Sequence, residues 1–146
     1  RAVVEAFRVL DQGGRFAFTT WSPDSAQNNL VNEAVRAHGD PGVPLPEGPP
    51  RTLFSDPGLC KALLAGAGFE GAKVSEIPIA LECAGGDHFL EIIYRSTVRT
   101  RALLEAQAPA ARERIDRAIA GAAMKFEKGG TLEIPMPAVL VSARKP

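Results

Sequence analysis

The chain opens on helical apolar spacing that gives way to strand alternation within its first 21 residues. Ala2, Val3, Ala6, Phe7 and Leu10 recur at the one, three and four spacing that gathers side chains on one helix face. Gly13 and Gly14 follow, where a chain leaving a helix needs a residue tolerant of positive φ, and Gly14 is the one expected to adopt it. "RFAFTTW" then places Phe16 and Phe18 on one face and Ala17 and Thr19 on the other, which predicts a strand. In α/β proteins a helix feeding a strand is normally the crossover from an earlier parallel strand. The sequence supplies no such strand before Arg1, so Arg1 is read as a cut end.

Further along, Leu30, Ala34 and Val35 predict a short helix with Ser22 or Asp24 as its cap and Gly39 as its end. "DPGVPLPEGPP", from Asp40 to Pro50, is too rich in proline and glycine for helix or central strand, and its length raises the expectation of a lid or a connection. Ser55 as cap, Pro57 in the first turn and a buried stripe of Leu59, Leu63 and Leu64 predict the next helix, which Gly66 and Gly68 end. Val74, Ile77 and Ile79 alternate imperfectly as a strand that Pro78 confines to a sheet edge or a bulge. From Asp87 to about Lys128 the pattern is helical, with breaks near Ser96 and Pro109; Ile115, Ile119, Ala122 and Phe126 share one face of the last helix. Gly129 and Gly130 stop it. Val139, Leu140 and Val141 run apolar without alternation, as in a strand covered on both faces.

This order of elements carries a resemblance. "EAFRVLDQGGRFAFTTW", "LLAGAGFEGAKVSEI" and the closing "AVLVSARK" together resemble the C-terminal half of a class I S-adenosylmethionine-dependent methyltransferase of the ubiquinone and menaquinone biosynthesis type. The three anchors span Glu5 to Lys145; Asp11 and Gln12 stand where that family usually has a basic residue and a proline. The resemblance implies an α/β fold, a partial Rossmann-like methyltransferase domain over residues 1–146. Its strands would be equivalent to the fifth, sixth and seventh, the last antiparallel, with helical substrate-cover segments at about 22–50 and 87–128. It also implies that the cofactor's glycine loop, ribose carboxylate and fourth strand lie upstream of Arg1. The glycines of "GAGFEG" follow a helix and precede a strand, opposite to the order a nucleotide-binding fingerprint needs. The chain alone is therefore expected not to bind S-adenosylmethionine, the cofactor of the parent family. With the fourth strand absent, the edge of the strand from Arg15 to Thr20 is expected to pair with a second copy, making a homo-oligomer.

Composition changes this picture little. Lys plus Arg equals Asp plus Glu at 17 each, so no basic field gathers nucleic acid. With 45% hydrophobic residues and no apolar run near the roughly 20 residues that span a bilayer, a globular, cytoplasmic protein without a membrane segment is expected. Cys60 and Cys83 have no metal-ligand spacing, and Cys60 reads as a small core hydrophobe. No metal centre, nucleophile triad or phosphate loop is found. The basic run Arg95, Arg99 and Arg101 is a solvated helix face or a clamp for an acidic substrate.

Methyl transfer asks the protein mainly to align acceptor and methyl and to exclude water. Where the acceptor must lose a proton, His88 is the candidate base, since imidazole titrates near neutrality; otherwise it is a surface residue beside a capping Asp87. Trp21 leaves the carboxyl end of its strand, where open α/β sheets place ligands, and is the candidate to meet the cofactor's sulfonium by cation–π attraction; a core role is the alternative. Phe54, Phe89, Tyr94, Met124 and Phe126 fall in the regions that the resemblance assigns to the substrate cover, as core or as pocket. The function implied is the substrate-side part of a transferase for a small organic acceptor. The rival is a non-catalytic binding or oligomerisation module of the same descent.

Overall fold

The computed structural model describes residues 1–50 and 52–146, a mixed α/β chain in two compact units. The first takes in 1–23, 49–79 and 137–146, and the second 24–48 and 80–136, so the segments expected as a helical cover fall mostly in the second.

In the first unit, helix α1 (Ala2–Val9) leads to strand β1 (Arg15–Trp21), α3 (Pro57–Gly66) to β2 (Glu70–Ile77), and β6 (Ala138–Arg144) closes the sheet. The strand order is β1-β6-β2, with β6 antiparallel to both neighbours, so β1 and β2 run parallel to each other. Val141 sits between Phe18 and Val74, and Ala138 between Trp21 and Ile77. One face is closed by α1 and α3: Cys60, Leu64, Phe69, Val139, Val141 and Ala143 are buried together, with Phe7, Leu10, Phe16 and Phe18 packed against them. Phe69 links the layers, 5.0 Å from Phe7 edge-on and 5.4 Å from Phe16 in a stack. Lys145 caps α1, its ammonium donating to the carbonyls of Phe7 (2.8 Å) and Leu10 (2.7 Å).

The second unit holds α2 (Ala26–His38), β3 (Ala80–Cys83), α4 (Gly86–Ser96), α5 (Val98–Glu105), α6 (Pro109–Ala123), β4 (Glu127–Lys128) and β5 (Thr131–Pro135). Its small antiparallel sheet has the order β3-β5-β4. Leu30, Val31, Ala34 and Val35 of α2, Phe89 and Ile93 of α4, Leu104, Ile115 and Ile119, and Leu132 and Ile134 of β5 make one core. The proline-rich stretch from Asp40 carries no helix or strand. Gln107, itself buried, accepts from the Asp40 N–H (2.7 Å) and donates to the Asp40 carbonyl (2.8 Å), and Arg99 donates to the Pro46 carbonyl (2.7 Å).

Several expectations are corrected. Gly13, not Gly14, takes positive φ (+77°); Gly14 is crowded instead, a Cβ there lying 2.7 Å from the Asp11 carbonyl oxygen. Helix α2 starts after Ser25, later than Ser22 or Asp24. Asp56 rather than Ser55 caps α3, accepting from the Leu59 N–H at 2.7 Å, while the Ser55 hydroxyl turns back to the Thr52 carbonyl. That phase buries Cys60 and Leu64 and leaves Leu59 and Leu63 exposed. On α6 it is Ala123, not Ala122, that completes the face with Ile115 and Ile119. Strand β6 is fully covered on one face only, since Leu140 and Ser142 remain half-buried between buried Val139, Val141 and Ala143. The single strand expected across Pro78 is two, β2 and β3, in different sheets, and β5 replaces what was read as a plain helix stop.

Candidate functional site

The residues singled out from the sequence divide between the units: Trp21 and Phe54 belong to the first, and His88, Phe89, Tyr94, Met124 and Phe126 to the second.

Trp21 ends β1 with 48% of its surface exposed, on the side of the strand that also carries Arg15, Ala17 and Thr19. Phe54 stands on the short 3-10 turn Leu53–Ser55 and meets Phe18 edge-on at 6.2 Å. At the same end of the sheet, buried Ser22 donates its hydroxyl to Glu76 (2.8 Å), and its N–H to the Pro137 carbonyl (2.9 Å). The Ser22–Glu76 pair escaped sequence reasoning, because a bond between residues this distant leaves no local pattern.

In the second unit, α4 places His88 and Tyr94 on neighbouring grooves that share Arg95. One groove, about 240 Å³, is lined by His88, Glu91, Ile92, Arg95 and Ser96. The other, about 320 Å³, lies along the α4–α5 turn, with Tyr94, Arg95, Thr97, Val98 and Arg101 in its wall. His88 is exposed, and its Nδ1 accepts the Ala84 N–H at 3.1 Å. With Nδ1 accepting from the backbone, a proton can be taken up at that nitrogen only by giving up the Ala84 bond. Asp87 makes no cap; the N-cap position is Gly85. The adjacent Gly86 serves packing, since a Cβ on it would collide with the Ala120 carbonyl.

Tyr94 is half-buried and donates its hydroxyl to Asp116 Oδ1 at 2.9 Å. Burial first, then the Asp116 carboxylate, holds the phenol well above its ordinary range, so it stays a neutral donor. The three basic residues of the run are engaged: Arg95 with Glu91 (3.1 Å), Arg101 with Glu105 (2.8 Å), and Arg99 with Pro46. Phe89 is wholly buried in the core. Met124 is exposed, and Phe126 packs against that core with the Lys125 ammonium 5.1 Å from its ring centre.

Burial raises both thiols, Cys60 and Cys83, and the Asp56 charge raises Cys60 further, which keeps them protonated and unreactive. Among the described residues no cluster of His, Cys, Asp and Glu could hold a metal ion, and no helix is long and apolar enough to cross a membrane. The glycines at 66, 68 and 71 lead from α3 into β2, and at the turn from β3 to α4 Gly86 is packed against α6. The chain matches no family model and no curated protein.

Proposed function

We propose that the chain is the substrate-side, C-terminal part of a class I S-adenosylmethionine-dependent methyltransferase acting on a small organic acceptor. The observation that carries this reading is the sheet of the first unit, in which a reversed strand, β6, lies between two strands that run parallel to each other and are each entered from a helix. The resemblance asks for an antiparallel last strand beside its fifth, and β6 next to β1 meets that. When bound, the cofactor supplies the methyl group; the residues that hold it belong to a half outside this chain, in the same polypeptide or another. The chain's own share is to seat the acceptor, and the α4–α5 groove with the neutral phenol of Tyr94 suits that role.

A methyl-transfer assay tests the reading. The chain joined to, or mixed with, the cofactor-binding half encoded beside it should move labelled methyl to a small acceptor, and omission of this chain should abolish transfer. Transfer that continues without the chain would overturn the proposal. Titration calorimetry of the chain alone with S-adenosylmethionine should be flat; a one-to-one micromolar site would move the cofactor onto this chain.

A second reading, an assembly module without catalysis, is favoured by the outer edge of β1, on which no further strand pairs among the described residues.

A further inference from the structure

The two edges of the first unit's sheet are unlike. The β2 edge is blunted: its pairing is irregular between Glu70 and Lys73, Lys73 is exposed, and Pro78 follows its last residue. These are the features by which natural sheets discourage pairing with another chain. The β1 edge has none of them. It is seven residues long, pairs regularly with β6 from Arg15 to Trp21, contains no proline, and carries its one charge at its end. No strand lies on its other side among the described residues.

This edge is also complementary to itself. We propose that two copies of the chain join through β1, antiparallel about a two-fold axis at Phe18, so that two three-stranded sheets become one. In that register Phe18 faces the partner's Phe18, Phe16 faces the partner's Thr20, Ala17 faces the partner's Thr19, and Arg15 faces the partner's Trp21. Arg15 and Trp21 project on the same side of the strand, both exposed, so each guanidinium lies over an indole in two symmetry-related cation–π contacts. The two like charges are kept at opposite ends of the pairing. On the other face the Phe18 pair and the exposed Phe54 that touches it gain cover. A shift of two residues leaves part of each strand unpaired and loses both Arg–Trp contacts. A shift of one puts every side chain on the wrong face. The proposal rests on the sheet alone and is independent of methyl transfer.

Directly opposed residues of antiparallel strands stand about 4.5 to 5.5 Å apart at Cα, within reach of a disulfide, whereas diagonal ones do not. Ala17→Cys and Thr19→Cys change exposed positions, and the native Cys60 and Cys83 are buried. Mixed under oxidation, the two variants should cross-link to each other far faster than either does to itself. Light scattering of the unmodified chain should give a dimer at micromolar concentration, and Arg15→Glu should weaken it about tenfold through loss of the two contacts. Emission from Trp21, the only tryptophan, should move to shorter wavelength as the dimer forms. A chain that stays monomeric at high micromolar concentration would overturn the proposal. So would a dimer in which the mixed variants cross-link no faster than each alone.

Discussion

In the first unit one strand carries the sheet: β6 is bonded on both sides, and its Val139, Val141 and Ala143 floor the layer under α1 and α3. In the second unit the buried side chains come chiefly from helices α2, α4, α5 and α6, and the sheet adds Cys83, Leu132 and Ile134. Half of the residues buried in the first unit's core thus come from one strand, whereas the second unit draws its core from many elements. A single substitution should expose that difference.

Val141→Asp should have the largest effect. It puts a carboxylate at a fully buried site between Phe18 and Val74, at a cost of about 4 kcal/mol or more, and hydrogen exchange should show protection lost through β1, β2 and β6 together. Phe89→Ala, in the second core, should cost about 3 to 5 kcal/mol by cavity formation, yet leave protection in β5 and α6 above that of an unfolded chain. Loss of all protection in the second unit on Phe89→Ala would erase the contrast.

Turns give a smaller, sharper test. Gly13→Val forces a β-branched residue to φ +77° where the chain enters β1, and should cost about 1 to 3 kcal/mol in the denaturation midpoint. Gly42→Val, in the loop of the second unit, has no positive φ, and its nearest neighbour, Asp40 Oδ1, is on a movable side chain, so the shift should stay below about 0.5 kcal/mol. Equal midpoints would mean that the two places are equally forgiving.

Of the residues at the candidate site, Tyr94 should show an effect at the lower end of that for Gly13. Tyr94→Phe removes the bond to Asp116 and should cost about 1 kcal/mol. Because the folded phenol is held above its ordinary value, its contribution is whole below about pH 10 and is lost as pH rises toward the folded value. Stability of the unmodified chain should fall over that alkaline window by a component that the Phe variant lacks, as read by denaturant titration at stepped pH.

Local signals made α1, β1, α3, β2 and β6 legible, because helix spacing, strand alternation and glycine stops act within a dozen residues. The breaks at Ser96 and Pro109 and the irregular stretch after Asp40 were legible for the same reason. What escaped was non-local. Strand β3 is four residues long and pairs with β5, some fifty positions on, so nothing in "ALEC" announces it. Strand β5 did carry a signal: Leu132 and Ile134 alternate, and Gly129 and Gly130, both at positive φ, make the two-residue hairpin that joins β4 to it. Read only as a helix stop, the glycine pair hid the second sheet. Cap positions slipped by one to three residues because Asp56 and Ser22 compete for backbone and long-range partners that spacing does not rank. Of the candidate site, the place of Trp21 at the end of β1 and the α4 placement of His88 and Tyr94 follow from element order, whereas the exposure of Trp21 does not, since the sequence leaves a core role equally open. The Asp116 bond, the Ala84 bond and the shared Arg95 depend on packing.

The central position of β6 has a consequence for synthesis. During translation β1 and β2 leave the ribosome before the strand that joins them, so neither has a sheet partner until residues 138 to 144 emerge. Until then the nascent chain carries two strands in waiting, with Phe16, Phe18 and Val74 uncovered, and this interval is when chaperone capture or pairing between neighbouring nascent chains has its opening. A slow stretch of codons just upstream of Ala138 would lengthen that interval without altering a single amino acid.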